Sequence, residues 1–283
     1  MGHQNKKTLT RQIQERYVNM LALGESKRDA KKDGSYKSHI YSDTTLKTYM
    51  KHANYFAQYC KEEHGCRTLE QCYQYADEWL ITRSDLSAYT QKLEVAALAK
   101  LYNKTADDFV RTESRMRSDI TRSRGAATRD AHFSEKNHAD LVEFCRATGL
   151  RRRELSKLTG DKLIKIDGKY HIAVDKGGKG GKTRIVPIIG DEKRIIELMQ
   201  KAGDKKVFDK IPQAADIHGY RRQYAHTLYQ MYARDISNIP KSERYICRND
   251  LKGVVYDKQA MQIVTQALGH NRIDVIAGHY ISP

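Results

Sequence analysis

The chain has 283 residues, of which 39% are hydrophobic and 30% charged, and its formal net charge is +16. No apolar run approaches the roughly 18 residues of a transmembrane helix, and the N-terminal MGHQNKKTLTRQ lacks the apolar stretch of a signal peptide, so we expect a cytoplasmic protein. Such a surplus of positive charge favours a polyanionic partner. Because lysines and arginines are spread along the chain rather than gathered on one amphipathic helix, we favour nucleic acid over a membrane surface. A basic protein with neither partner stays an alternative.

Residues 1–115 have the pattern of a helical domain. In YSDTTLKTYMKHANYFAQYCK, Ser42 or Asp43 can cap a helix start, after which apolar residues recur at helical spacing. Lys47 and Lys51 lie on another face of this helix, and we assign them to nucleic-acid binding. Two further helices are predicted in this domain, over 10–23 and 86–103. The polar, lysine-rich stretch 24–39 is predicted to be a loop.

Three of the five cysteines, Cys60, Cys66 and Cys72, lie close to His64 in the sequence. Such a group could hold zinc, but it contains no C-x-x-C pair, and Cys60 falls on the apolar side of its predicted helix. An odd number of cysteines is typical of reduced thiols in the cytosol. We therefore expect buried free thiols and no metal site.

The composition changes in RTESRMRSDITRSRGAATRDA (111–131), which holds six arginines and few apolar residues. We interpret residues 116–131 as a basic linker between two domains. A solvated helix end would have the same composition. A linker that crosses a DNA backbone would place Arg122 and Arg124 against phosphates, and we assign both to DNA binding.

Residues 132–283 predict a second domain of helices and a small antiparallel sheet. Ser134 can cap a helix that ends at Gly149. LIKIDGKYHIAV (163–174) has Asp-Gly between two alternating runs, which indicates a two-residue hairpin, and a third strand follows the glycine-rich turn after it. The remaining segments are three helices over 191–202, 213–234 and 257–268, and an irregular stretch over 236–256. The fold class is therefore mainly α with a small antiparallel β-sheet.

Four blocks of this second half hold residue types that suit phosphoryl transfer. Breaking a DNA phosphodiester without a metal needs fixed cations for the charge of the transition state, a general acid for the leaving oxygen and a nucleophile. Arginine, lysine, histidine and tyrosine supply these functions. The blocks are ATGLRRRELSKLTGDKL (147–163), GKGGKTRIVPI (178–188), HGYRRQYAHTLY (218–229) and LGHNRIDVIAGHY (268–280).

In this order and at these distances, the four blocks resemble those of the tyrosine recombinase (phage integrase) family. Each block alone is weak, and the match is specific because all four occur together, from Thr-Gly-Leu-Arg to the last tyrosine. The N-terminal half fits less sharply. The resemblance implies a helical core-binding domain over 1–115 and an α+β catalytic domain over 132–283, which together form a C-shaped clamp around DNA.

The resemblance also implies catalytic roles for single positions. Arg151, directly after Thr-Gly-Leu, and Arg221, in H-x-x-R, are the arginines that hold the phosphate. His218 of the same motif is a proton acceptor or phosphate ligand, and His270 of Leu-Gly-His bonds to the phosphate. Tyr280 is the nucleophile.

Other positions have supporting roles by the same resemblance. Glu154 is the acidic residue that orients the catalytic side chains. Lys179, on the turn between two strands, is the general acid for the leaving 5′-oxygen, because a lysine can lose a proton where an arginine cannot. Lys182 is the competing candidate. Arg152, Lys182 and Arg184 are assigned to DNA binding.

The activity implied is conservative strand exchange on double-stranded DNA without metal or cofactor. Four protomers would synapse two duplexes, and a monomer is one expectation for the free protein. A type IB topoisomerase shares this chemistry, and a catalytically silent DNA-binding protein shares the charge; both stay alternatives. An RNA-binding protein is a weaker one, since no RNA-recognition motif is visible.

One spacing departs from the family. Tyr280 follows His270 by ten positions, one more than is usual. We expect the extra residue in the turn 271–273, before a short helix capped by Asp274. Inside the helix it would rotate Tyr280 by about 100°. About 40 residues precede the predicted helix that begins at 43, and three residues follow Tyr280. We expect that an additional arm-binding domain and a C-terminal docking segment are either absent from the protein or removed from this sequence.

Overall fold

A computed structural model of the chain describes residues 7–116, 132–175, 183–248 and 251–281. The chain divides into two compact units, Met1–Ile120 and Thr121–Pro283. The division falls inside the segment predicted as a linker, most of which lies outside the described residues, so the linker itself stays a prediction. The predicted fold class is confirmed, because the described residues are mainly helical with a small antiparallel sheet.

The first unit is built from helices. Ser42 caps the longest of them as predicted, since its side chain accepts a hydrogen bond from the amide of Thr45 at 3.2 Å. The predicted apolar face of this helix is buried from Leu46 to Cys60. The predicted loop 24–39 contains two short helical segments, an α-helix at Lys27–Ala30 and a 3₁₀ helix at Ser35–Ser38. The helices are α1 (Leu9–Val18), α2 (Lys27–Ala30), α3 (Asp43–His64), α4 (Leu69–Tyr73), α5 (Ala76–Thr82) and α6 (Ala88–Leu101).

The core of this unit contains one buried carboxylate. Glu94 on α6 is fully buried, and its Oε1 lies 3.1 Å from Nδ1 of His52 on α3. Arg83, after α5, donates to both carboxylate oxygens and lies over the ring of Trp79. This ion pair joins three helices at one point of the core. All five cysteines of the chain are buried and free, as predicted.

The second unit combines helices with two small sheets. Its helices are α7 (Ala139–Thr148), α8 (Arg152–Leu155), α9 (Glu192–Ala202), α10 (Ile217–Tyr232), α11 (Lys258–Leu268) and α12 (Asp274–His279). Its strands are β1 (Leu163–Ile166), β2 (Lys169–Val174), β3 (Arg184–Pro187), β4 (Arg244–Ile246) and β5 (Val255–Asp257). In the described residues, no helix is long and apolar enough to cross a membrane.

The predicted hairpin is present. β1 and β2 pair antiparallel through a two-residue turn at Asp167 and Gly168, whose φ angles of 48° and 80° are the positive values that such a turn requires. β3 pairs antiparallel with β2, so the sheet order is β1-β2-β3. α10 packs between α7 and α11, and α11 packs against β3. The ends of α7, α11 and β3 therefore meet.

Two details differ from the prediction. Residues 236–256 were expected to be irregular, yet β4 and β5 form a two-stranded antiparallel sheet in and beside this stretch. Strands of three residues are too short to show an alternating pattern, so the prediction missed them. Asp274 is the first residue of α12 and Ile273 is its N-cap, so the predicted cap was wrong by one position.

Candidate active site

Arg151 is positioned by the end of one helix and the start of the next. α7 ends at Gly149, whose φ of 56° leaves the helical region, and α8 begins at Arg152. Glu154, in the first turn of α8, folds back on Arg151: it accepts the backbone amide of Arg151 at 2.7 Å and its Nη1 at 2.9 Å. The spacing R-x-x-E therefore produces a contact between these two side chains, because residues three apart meet across one helical turn.

Glu154 is held more tightly by Arg184 at the start of β3. Nη1 and Nη2 of Arg184 donate to the two oxygens of Glu154 at 2.9 and 2.7 Å, and both side chains are less than a tenth exposed. Burial alone would raise the pKa of Glu154, but the hydrogen bonds and charges of Arg184 and Arg151 outweigh it and lower the pKa to about 2. Glu154 is thus a carboxylate at neutral pH.

Three arginines converge on the C-terminal end of α11. Nε of Arg184 donates to the carbonyl of Ala267 at 2.9 Å, and Nη2 of Arg151 and Nη2 of Arg221 donate to the carbonyl of Leu268 at 3.1 and 2.6 Å. The last carbonyls of a helix have no partner within the helix and carry the negative end of its dipole. This helix end therefore stabilises three neighbouring cations.

Arg221 links this cluster to Tyr280. It is only 1% exposed, and its Nη1 donates to the carbonyl of Gly149. Its Nε donates to the hydroxyl of Tyr280 at 3.3 Å, and its guanidinium lies over the tyrosine ring. Burial lowers the pKa of Arg221 to about 10, which leaves it charged at neutral pH.

His270 contacts the same hydroxyl from the other side. α11 ends at Gly269, and the amide of His270 donates to the carbonyl of Thr265 at 2.9 Å, which fixes the turn. Nε2 of His270 lies 3.1 Å from the Tyr280 hydroxyl. Burial and the charges of Arg221, Arg151 and Arg184 lower the pKa of His270 to about 4, so the imidazole is neutral at pH 7.

The unusual spacing between His270 and Tyr280 does not separate them. Residues 271–273 form a turn, and α12 follows with six residues, after which Tyr280 donates its amide to the carbonyl of Ile276 at 2.9 Å. The hydroxyl still reaches both Arg221 and His270.

His218 is the first residue of the H-x-x-R motif and lies on α10. It is exposed in the first turn of α10, one turn before Arg221, so both residues face the same side of the helix. Lys179 and its competitor Lys182, on the glycine-rich turn, lie outside the described residues. Arg122 and Arg124 of the predicted linker do so as well.

Two of the predicted DNA-binding arginines are engaged within the protein. Arg184 is buried against Glu154 and Ala267, as described above. Arg152 donates through Nη1 and Nη2 to four backbone carbonyls between residues 211 and 215, at 2.6 to 3.3 Å. These contacts support the loop before α10 and differ from the predicted surface role. Lys47 and Lys51 are exposed; Lys47 pairs with Asp43 at 2.8 Å and Lys51 lies over the ring of Tyr55.

The role of Arg184 was missed, although the sequence contains a sign of it. Side chains two apart on a strand point to the same face, and Val186, two positions later, is fully buried. An arginine on the inward face of a strand needs a buried acid as its partner. Within the described ranges, no group of three or more histidine, cysteine or acidic side chains could hold a metal ion.

These contacts form a site with a defined chemistry. The hydroxyl of half-buried Tyr280 lies within hydrogen-bonding distance of Arg221 and of the neutral imidazole of His270, and Arg151 shares the carbonyl of Leu268 with Arg221. Cations can bind an anion and stabilise negative charge that develops on it. A tyrosine hydroxyl beside a neutral hydrogen-bond acceptor can act as a nucleophile.

The chain is similar to solved structures of recombinases. Neither a protein-family model nor a curated protein matches the sequence. The XerH site-specific recombinase, bound to palindromic difH substrate in a post-cleavage complex, aligns with a TM-score of 0.51 and 14% identity over 97% of this chain and 91% of that one. The Tn1549 transposon integrase, in complex with circular intermediate DNA, aligns with a TM-score of 0.47 and 13% identity over 96% and 95%. The XerH alignment shows that the chain shares the fold of that recombinase structure.

Proposed function

We propose that the chain is a tyrosine-type site-specific DNA recombinase that cuts and rejoins strands through a 3′-phosphotyrosyl intermediate. The observation that carries the proposal is the position of the Tyr280 hydroxyl, 3.3 Å from Nε of Arg221 and 3.1 Å from Nε2 of His270. The fold and the positive net charge support the same function. Integration or excision of a mobile element is the process that such an activity serves.

Arg151 and Arg221 bind the scissile phosphate in this scheme. A guanidinium has five N–H groups. Arg221 donates three to Tyr280, Gly149 and Leu268, and the side chain of Arg151 donates to Glu154 and Leu268, so both retain donors. Their charges stabilise the additional negative charge of the pentavalent transition state.

Tyr280 attacks the phosphorus. A bond forms between the tyrosine oxygen and phosphorus while the bond from phosphorus to the 5′-oxygen breaks. In the tautomer that carries its proton on Nδ1, neutral His270 accepts the hydrogen bond of the hydroxyl through Nε2 and is the nearest acceptor for its proton. The leaving 5′-oxygen takes a proton from Lys179, and His218 contacts the phosphate, both by resemblance to the family.

The second half of the reaction reverses the first on another strand. A 5′-hydroxyl of the partner duplex attacks the phosphotyrosine, which restores Tyr280 and reseals DNA. Each step exchanges one phosphoester for another, so the scheme uses no ATP and no cofactor. Four chains on two duplexes would complete an exchange, in the cytoplasm where the DNA is accessible. Lys47 and Lys51 would contribute to salt-sensitive binding of the DNA phosphate backbone.

A nicked suicide duplex tests this proposal. The substrate carries the junction sequence that flanks the encoding element, and the nick lets the cleaved fragment diffuse away so that the adduct accumulates. Wild-type protein should form a covalent protein–DNA adduct, and Tyr280→Phe should form none while it retains DNA binding. Tyr232→Phe, which removes the hydroxyl of an exposed tyrosine on α10, is the matched control and should behave as wild type.

The alternatives give different results. Binding without any adduct in the wild-type protein would indicate a catalytically silent DNA-binding protein. Relaxation of any supercoiled plasmid, without joining of two duplexes that carry the site, would indicate a topoisomerase. An adduct that persists in Tyr280→Phe would show that another residue is the nucleophile.

A further inference from the structure

Arg184 is a cation that the proposed chemistry does not use. It does not contact Tyr280 in the described hydrogen bonds, and its side chain is 7% exposed. Its charged group nevertheless lies inside the cluster, with one nitrogen on each oxygen of Glu154 and the third on the carbonyl of Ala267. Arg221 is also buried, but it reaches the Tyr280 hydroxyl, whereas the described hydrogen bonds of Arg184 go to Glu154 and Ala267. The charge of Arg184 therefore lies beside the carboxylate rather than beside the proposed nucleophile.

The pairing with Arg184 determines the charge of Glu154. Glu154 is buried, and burial disfavours a carboxylate. The charged groups around it are Arg184 on β3, Arg151 before α8 and Arg221 on α10; His270 after α11 is neutral. Among the described hydrogen bonds to Glu154, only those of Arg184 form a two-pronged guanidinium contact, and such contacts are the strongest ion pairs in proteins. Without it, Glu154 would keep a single side-chain cation within hydrogen-bonding distance.

Arg184 also supports the turn that carries His270. Its Cδ lies 2.9 Å from the place where a side chain at Gly269 would begin, so the arginine packs directly beneath that turn. Ala267 and Leu268, whose carbonyls accept the three arginines, precede the same turn. One side chain therefore connects β3, α8 and the end of α11.

From these contacts we propose that Arg184 is a positioning residue of the recombination site. It keeps Glu154 ionised and in place, and Glu154 in turn fixes the guanidinium of Arg151 for the phosphate. Arg184 does not touch the DNA. The proposal rests on the proposed function, because it assigns Arg184 a part in the same reaction.

The test compares Arg184→Met with a matched control. Arg234 also makes a two-pronged pair with a buried acid, Asp257, in the same unit but away from Tyr280. Arg234→Met should therefore lose a similar ion pair without affecting the site. Both variants are assayed for duplex binding by fluorescence anisotropy and for single-turnover adduct formation on the suicide duplex between pH 5.5 and 8.5.

Arg184→Met should bind the duplex within about twofold of wild type and form the adduct about 100-fold more slowly at pH 7.5, the cost of a misplaced reacting group. The deficit should grow as the pH falls, because the pKa of Glu154 rises when its main cation is removed. Wild type and Arg234→Met should show no such loss from Glu154 protonation over this range. In a Glu154→Gln background, adding Arg184→Met should reduce the adduct rate little further, because both changes break the same ion pair between Arg184 and Glu154.

Other results would overturn the proposal. Loss of duplex binding in proportion to loss of cleavage, with an unchanged pH profile, would make Arg184 a DNA contact. If the fold-loss in adduct rate of the double variant equalled the product of the losses from Glu154→Gln and Arg184→Met, the two residues would act independently. If Arg184→Met does not fold, Arg184→Lys replaces it, because lysine keeps the charge but cannot make the two-pronged contact with Glu154. Arg184→Lys should bind DNA normally and cleave slowly. Normal cleavage by this variant would contradict the proposal.

A measurement without catalysis separates this inference from the proposed function. Arg184 is one of the charges that hold the pKa of His270 low. Histidine NMR titration of the free protein should show a higher His270 pKa in Arg184→Met and no change in Arg234→Met. That result would support the contact network even if wild-type protein formed no adduct, and an unchanged His270 titration would contradict it.

Discussion

Each of the two compact units buries one glutamate, and the two glutamates have different surroundings. Glu94 in the helical unit lies against His52 and Arg83, and Arg83 also covers the ring of Trp79. Glu154 in the second unit lies against Arg151 and Arg184. Both carboxylates have cationic or ring N–H partners, so burial and pairing alone do not distinguish them.

The difference lies in what the partners contact next. Arg151 and Arg221 share the carbonyl of Leu268, and Arg221 continues to the hydroxyl of Tyr280. The described hydrogen bonds around Glu94 lead to no comparable hydroxyl. Buried ion pairs occur in structural cores as well as in active sites. A functional site is indicated by several cations that converge on one reactive group, which only the second unit has among the described residues.

Among changes that leave Tyr280 in place, the largest effect is expected from removal of Arg221. Arg221→Ala takes away the cation beside Tyr280 and leaves the carbonyls of Gly149 and Leu268 without this donor. Adduct formation should fall by about 100- to 1,000-fold, as for the loss of one fixed transition-state donor, while duplex binding changes modestly. Single-turnover cleavage and anisotropy measure the two quantities. Equal losses in both would mean that Arg221 only binds DNA.

The two glutamates provide the most direct test of the comparison. Glu154→Gln should slow adduct formation by about 10- to 100-fold, the usual effect of losing a residue that orients a catalytic group. Glu94→Gln should leave the adduct rate of the folded protein unchanged and lower the free energy of unfolding by about 1–3 kcal/mol, the cost of a poorly satisfied buried donor. Urea unfolding and single-turnover cleavage separate the two outcomes. A slow but stable Glu94→Gln protein would contradict the distinction.

A smaller effect concerns the protonation of His270. Burial and three arginines favour the neutral imidazole and lower its pKa to about 4, so protonation should begin only as the pH approaches that value from above. Histidine NMR signals of the free protein, assigned with His270→Gln, should show His270 unchanged between pH 8 and about pH 5.5. Titration near the ordinary histidine value of about 6.5 would mean that the arginines do not surround the ring as described.

Local features of the fold were predictable from the sequence, and distant contacts were not. Ser42 as a cap, the Asp-Gly hairpin and the helix end at Gly149 each depend on a few neighbouring residues. The pairing of Arg184 with Glu154 joins positions 30 apart, and Arg152 reaches carbonyls about 60 residues away. Patterns of hydrophobicity do not specify which buried charges meet. The two arginines were therefore predicted to face DNA, whereas both are engaged within the protein.

The meeting of Arg151, Arg221, His270 and Tyr280 could be anticipated only through the order of the four sequence blocks. The ten-residue spacing between His270 and Tyr280 left the geometry open, because one residue inserted in a helix turns the next side chain by about 100°. In the structure a three-residue turn and the six residues of α12 separate the two residues, and Nε2 of His270 lies 3.1 Å from the Tyr280 hydroxyl. Such a contact depends on the packing of the whole unit and has no local signature.

The central claim is that Tyr280 is the nucleophile, and mass spectrometry of the trapped adduct tests it most directly. Wild-type protein is reacted with the nicked suicide duplex, digested with nuclease and protease, and searched for a peptide that carries a nucleotide. The account predicts one modified peptide, with the phosphate ester on Tyr280. A nucleotide on any of the other tyrosines, or on a serine or lysine, would contradict it.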